Sequence, residues 1–333
     1  MNRNQLSVVA MGMVLFVCLL CCKKKTPTPT YDVSHMTQLF APLKPAPQTL
    51  SVQAGRDTTI FGHDSTALHF FTNSFKDANS NPITSGTIDI QLTEMYKPGD
   101  MVANRASSIA GEHTLQSGGQ VNIIATMLGR AVFTNKYSIG FKQPGTSGET
   151  MSLYYGGNTN ADSITTWTVS DTTNGNAAYG THHFDTGSAP PLATGFLFRG
   201  GYYYLFANCT QFGTINCDRL YVHNGDNTVI QVTVPDGSFN PTNTQIFVVF
   251  PTINSITMGD DRQIYTASTN TFIVGNHMDS VAVGMSYEVA VIANKNGSFY
   301  YFSQKGTTAK GMTINATMAP ETSGDITARL AGL

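Results

Sequence analysis

Charge is scarce in this sequence. Its 333 residues hold 19 Lys and Arg against 21 Asp and Glu, 12% in all, about half the usual share of roughly 25%. With a net charge of −2 and no basic stripe, the chain lacks the electrostatic footprint of a nucleic-acid binder, and no such partner is expected. Cysteine is sparse too. Three of five lie at Cys18, Cys21 and Cys22, and only Cys209 and Cys217 remain in the body, too few for a disulfide scaffold. No serine triad, P-loop, zinc motif or dinucleotide fingerprint occurs, so no cofactor is expected. Convincing runs of helical period and repeats of 20–50 residues are missing as well.

What is present is alternation. In Gly86 to Tyr96, Ile88, Ile90 and Leu92 alternate with Asp89, Gln91 and Thr93, the period of a half-buried strand. Gln120 to Met127, Thr228 to Val234, Gln245 to Phe250, Ser286 to Ala293 and Ser298 to Phe302 have the same character. Turn clusters separate them, among them Asn224-Gly225-Asp226-Asn227 and Asn294-Lys295-Asn296-Gly297. One short helix is expected over Asp100 to Ala106, after Pro98-Gly99, with Asp100 as its N-cap. At 41% hydrophobic the body is too apolar for disorder. The sequence therefore predicts an all-β chain of two β-sandwich domains, at 47–215 and 216–333, the second of the size of one immunoglobulin-like sandwich.

The N-terminus has another logic. Leu6 to Leu20 is a mostly apolar run of 15 residues, shorter than the ~20 of a bilayer span and within reach of a signal-peptide core. Three lysines follow it. In an uncleaved span they would hold the body in the cytoplasm, but the length favours cleavage. Leu19-Leu20-Cys21-Cys22 resembles the lipobox of bacterial lipoproteins, with Leu19 at −3 and Cys21 at −1. That resemblance implies a signal peptide over 1–21, lipidation of Cys22 and a membrane anchor of acyl chains such as palmitate. Residues 22–46 then read as anchor and flexible tether, with Lys23 to Thr30 an extended Thr-Pro spacer.

Two further segments carry a resemblance. Thr66 to Glu94 with Leu115 to Gly119 (LQSGG), and Phe212 to Leu220 (FGTINCDRL), resemble modules of uncharacterised Bacteroidota cell-envelope lipoproteins. The first is similar in pattern to ZU5-like sandwiches. The resemblance implies a β fold and a cell-envelope location, an outer-membrane lipoprotein, and implies no activity. Some ZU5 domains self-cleave at His-Phe-Ser; here His69-Phe70 is followed by Phe71, so that chemistry is not expected.

Several residues suggest sites. Asp77, Asn79 and Asn81 have the spacing that opens a calcium loop, although Pro82 and Ile88 break the motif; an Asx-rich turn is the simpler account. His182, His183 and Asp185 offer two imidazoles and a carboxylate, but neighbours on a strand face opposite ways. Cys209 and Cys217 suit a disulfide across a hairpin or strand pair, the alternative being a catalytic Cys217. Asp218 and Arg219 suit a local ion pair. Tyr202, Tyr203 and Tyr204 alternate faces on a strand, where ordinary packing and hydroxyl capping are the simpler account and stacking of an exposed ring on sugars the alternative. Thr58, Ser65, Ser163, Thr172 and Ser280 lie in Asp-Ser/Thr-X tripeptides of the kind Bacteroidota O-glycosylate. The function expected is a non-catalytic envelope lipoprotein binding a glycan or a protein partner, the alternative an envelope hydrolase using His182, His183 and Asp185.

Overall fold

The computed structural model describes residues 36–111, 113–158, 165–170, 177–186, 199–258, 264–274 and 281–333. Cys22, Lys23 to Thr30, Ser163, Thr172 and Ser280 lie outside them. The described residues belong to one compact unit, Val33–Leu333, and the fold is all-β and sandwich-like.

In the first half, one sheet runs in the order Gln48–Gln53, Thr87–Met95, His113–Met127, Gly213–Leu220, Thr150–Asn158, Thr165–Val169. A second runs His182–Thr186, Arg199–Cys209, Tyr137–Gln143, Ala67–Phe70, Thr58–Phe61. Their facing side chains form one core. Ile88, Ile90, Leu92, Val121, Ile123 and Ile215 come from the first sheet, and Phe70, Tyr137, Ile139, Phe141 and Phe206 from the second. The predicted alternation holds from Thr87 to Leu92, with Ile88, Ile90 and Leu92 buried and Asp89 and Gln91 exposed, but Thr93, expected outward, is buried. Burial of such side chains stabilises by about 1.5–3 kcal/mol each.

The second half repeats the plan with other strands. A sheet of Ile264–Thr266, Thr271–Val274, Ile230–Thr233 and Thr313–Asn315 packs on one of Ser255–Met258, Thr244–Phe250, Ser286–Lys295, Ser298–Thr307 and Ala319–Glu321. The hairpin between the last two long strands turns at Asn296 and Gly297, with φ of 54° and 83°. Both central residues have positive φ, as a two-residue turn matched to strand twist requires.

The strand Gly213–Leu220 pairs with His113–Met127 and Thr150–Asn158 along its length. A division at residue 215/216 would cut it in two, so the first sandwich extends through Leu220. The reason is the corner after Cys209, which carries the chain from one sheet of the first sandwich to the other.

Helices form a layer that the sequence barely announced. Pro98–Asn104 lies close to its expected position, but Asp100 is not the N-cap. It sits at the third helical position and accepts from the Lys97 N–H at 3.3 Å. Met36–Phe40 and the turn Ala41–Leu43 bury Met36, Phe40 and Leu43, and the C-terminal Ser323–Leu330 buries Ile326 and Leu330. Residues 36–43, expected within a flexible tether, are therefore helical and packed on the fold. The C-terminal helix starts on a capping box, Asp325 N–H donating to Thr322 Oγ1 at 3.1 Å and Thr322 N–H to Asp325 Oδ2 at 3.3 Å. These helices cover the outer face of the second sandwich, against Phe247, Val249, Ile256, Ala290 and Ile292. Gly99 makes the close approach possible: a Cβ there would stand 1.8 Å from the Leu330 carbonyl oxygen.

Candidate functional site

The motif segments meet in space. LQSGG and INCDRL are adjacent strands, pairing Leu115 with Leu220, Gln116 with Arg219, Ser117 with Asp218 and Gln120 with Asn216. Gly118 and Gly119 together oppose Cys217, a β-bulge. Gly119 has φ 124°, and a Cβ on it would strike the Tyr96 ring at 2.7 Å; one on Gly118 would meet Cys217 Sγ at 3.0 Å. The glycines of this motif thus serve backbone geometry.

Strand alternation splits Asn216-Cys217-Asp218-Arg219 between two environments. Cys217 points into the first core with Ile215. Asn216 and Asp218 point the other way and are fully buried, and the Ser108 N–H donates to the Ile256 carbonyl of the second sandwich at 2.8 Å. Asn216 Nδ2 donates a short hydrogen bond to Asp218 Oδ2. Gln120 Nε2 donates to Ser108 Oγ at 3.2 Å, and Trp167 Nε1 donates to the Ser107 carbonyl at 2.6 Å. Asn254 Nδ2 donates to the carbonyls of Tyr96 and Ser117, at 3.0 and 3.2 Å, which ties the second sandwich to the first. Burial pushes the Asp218 carboxyl well above the usual carboxylate range, with hydrogen bonds from Ser117, Asn216 and Gly118 opposing it. Burial thus favours the neutral form of this acid inside the polar seam.

Arg219 does not pair with Asp218. It faces the opposite side, with Nη1 2.9 Å from Glu149 and Nη2 2.8 Å from Gln116 Oε1. The expected disulfide is also not formed: Cys209 and Cys217 are buried free thiols. Eight residues apart in sequence, they belong to strands of opposing sheets, and sheets packed face to face stand about 10 Å apart. Burial pushes the Cys209 thiol up to about 12 and raises Cys217 as well, so neither is an activated nucleophile.

The tyrosines give no open face of sugar-stacking rings. Alternation holds, with Tyr204 in the first core and Tyr203 on the outer side of the same sheet beside Ala67, but both are buried. Tyr202 is half-buried, with His183 edge-on at 5.0 Å. Tyr300 and Tyr301 likewise enter the two cores that flank their strand. His182 and His183 are exposed on the strand His182–Thr186, which also carries Asp185. Among the described residues no three His, Cys, Asp or Glu gather as a metal site. Asp77 accepts from the Asn79 and Asn81 amides at 2.8 Å each and from Asn81 Nδ2 at 3.0 Å, an Asx turn closed on itself. These hydrogen bonds, that from the Asn81 side chain first, lower the Asp77 pKa. Thr58 is half-buried on a strand, and Ser65 lies in a turn with φ 73°.

The sequence did not point to the concave site. A cleft of about 590 Å³ opens between the segment Phe40–Pro47, the end of helix Pro98–Asn104, and the outward face of the first sheet. That volume is within the range of small-molecule sites. Pro45, Pro47 and Ile124 give its exposed apolar surface, with Phe40 and Met95 buried behind them; Lys44, Asn104, Asn122 and Thr214 are its accessible polar groups, and Arg105 is buried at its edge. Arg105 closes the helix with a left-handed backbone, φ 53°, and its guanidinium donates to Gln245 Oε1 at 3.3 Å and lies over Phe40. Thr214 Oγ1 donates to Asn122 Oδ1 at 3.4 Å. Ile124 is 47% exposed on an outward strand position. The one available signal was Ile123-Ile124, where alternation fails and one of two neighbouring isoleucines must face outward.

Compared with family models, curated proteins and solved structures, the chain matches none.

Proposed function

We propose that this chain is a non-catalytic binding protein of the cell envelope, held at the membrane by acyl chains on Cys22 and receiving its ligand in the cleft between Phe40–Pro47 and the first sheet. The cleft carries this reading. It is the concave surface where an exposed aliphatic side chain, a proline-lined wall and convergent amides and cations meet. The histidines and the buried thiols lie outside its lining.

A glycan array and an envelope-protein pull-down with wild type and Ile124→Trp test this. The indole would occupy the cleft from an outward position without entering the core. Specific capture by wild type that is lost in Ile124→Trp supports the proposal, and capture unchanged by the substitution refutes the site. Metabolic labelling with a fatty-acid analogue tests the anchor: label should mark wild type and not Cys22→Ser. Labelling that persists in that variant and disappears with Cys21→Ser would move the anchor by one residue.

A further inference from the structure

Two hairpins of this chain close on the same kind of turn with different residues. Met127 pairs with Arg130 across Leu128-Gly129, whose φ values are 52° and 75°, and Lys295 pairs with Ser298 across Asn296-Gly297, at 54° and 83°. Asn-Gly is what this turn favours, whereas a leucine in the left-handed region crowds its Cβ against a carbonyl oxygen. Leu128 gains no burial for that strain. It is 91% exposed, and a Cβ added to Gly129 would meet nothing within 4 Å among the described residues. An apolar side chain held in strained backbone and in water points to a contact outside the fold.

Two other turns share this end of the first sandwich. A Cβ on Gly86 would stand 2.6 Å from Met127 Cε, and the Gly86 carbonyl accepts from the Ala54 N–H at 2.9 Å, which sets Gly55-Arg56 alongside. Arg56 and Arg130 are both exposed. The acids at adjoining positions are engaged: Asp57 accepts from the Thr72 N–H at 2.8 Å and Asp89 from Ser51 Oγ at 2.9 Å.

We infer that this end of the first sandwich rests on an anionic lipid surface, with Leu128 dipping among the acyl chains and Arg56 and Arg130 meeting headgroup phosphates. A stable protein partner needs about 800 Å² on each side. One apolar prong falls far short of that, whereas a bilayer accepts a single apolar side chain with flanking cations. Such a contact is weak in a free protein and effective in one already held at the membrane. It does not depend on what the cleft binds.

The single tryptophan of the chain, Trp167, is buried, so Leu128→Trp adds an exposed reporter. The full chain is reconstituted in vesicles of phosphatidylcholine and phosphatidylglycerol with brominated acyl chains. Leu128→Trp should be quenched several-fold more than Val222→Trp, which sets the indole at another exposed position. Adding Arg130→Gln should weaken the contact about fivefold, the effect of one cation at an anionic surface, and phosphatidylcholine alone should weaken it further. Hydrogen exchange guards against insertion driven by the indole itself. Amides 128–131 of wild type should exchange more slowly on vesicles than in detergent, and those of Leu128→Asn should not. The melting temperature of Leu128→Asn should equal or exceed that of wild type, because its turn is then Asn-Gly. Equal quenching at positions 128 and 222, or unchanged exchange in wild type, would overturn the inference. Quenching indifferent to phosphatidylglycerol and to Arg130→Gln would overturn the role of the cations. Capture of an envelope protein that is lost in Leu128→Asn, with no lipid contact, would assign the tip to a protein pocket and overturn the lipid reading.

Discussion

The outer faces of two sheets are buried in opposite ways. In the second sandwich, the strand Thr244–Phe250 is buried at every position, with Phe247 and Val249 toward the helices and Ile246, Val248 and Phe250 toward the inner core. In the first, the outward side of Gly213–Leu220 is buried with Asn216 and Asp218 in place. One surface is sealed by non-directional apolar contact, which tolerates small shifts. The other is held by directional hydrogen bonds among amides, hydroxyls and carbonyls, where each unmatched buried polar group costs about 1–3 kcal/mol. The apolar layer supplies stability, and the polar seam fixes how the two sandwiches sit against one another.

The largest expected effect lies in the apolar layer. Phe247→Ala empties a fully buried site between helix layer and sheet, and should destabilise by about 3–5 kcal/mol in denaturant unfolding. A loss under 1 kcal/mol would mean that the helices are not packed there. Smaller is Asn254→Ala, which strips donors from the Tyr96 and Ser117 carbonyls and should cost about 1–3 kcal/mol. Protease sensitivity near residues 221–229 should rise with it.

Asp218→Asn sharpens the contrast because its sign is opposite. The folded-state pKa of Asp218 is raised, so the unfolded chain releases this proton first. The stability tied to the neutral carboxyl is complete below the unfolded value of about 3.9 and falls as pH rises toward the folded value. The amide stays neutral. Above the unfolded value the variant should be as stable as wild type or more so, and its stability should decline less as pH rises from about 4. A destabilised variant with an unchanged pH slope would mean that Asp218 is ionised in the fold. Smallest of all, an aromatic thiol reagent should find neither Cys209 nor Cys217 in the native protein and both after denaturation. Rapid native reaction would mean that the first core opens readily.

The sequence revealed what depends on local period. Strand positions followed from alternation, as in Ile88, Ile90 and Leu92, and the turn at Asn296-Gly297 from turn chemistry. It hid what depends on which layer covers a face. Tyr203 and Tyr204 alternate as expected, yet alternation cannot say that both sides of their sheet are covered. Met36, Phe40 and Leu43 have helical spacing over barely two turns, too short a window beside a Thr-Pro tract. The eight-residue spacing of Cys209 and Cys217 suggested a hairpin, and only the corner between sheets shows that they start from opposing layers. The cleft is assembled from four segments distant in sequence, so no local pattern could have marked it beyond Ile124.

The proposed role turns on that cleft, and amide mapping by NMR tests it most directly. On titration with whichever ligand the screens identify, the account predicts shifts concentrated at Lys44, Asn104 to Ala106, Asn122 to Ile124 and Thr214, with those shifts absent in Ile124→Trp. Shifts centred instead on His182 to Thr186, with residues 104–106 and 122–124 unmoved, would contradict it.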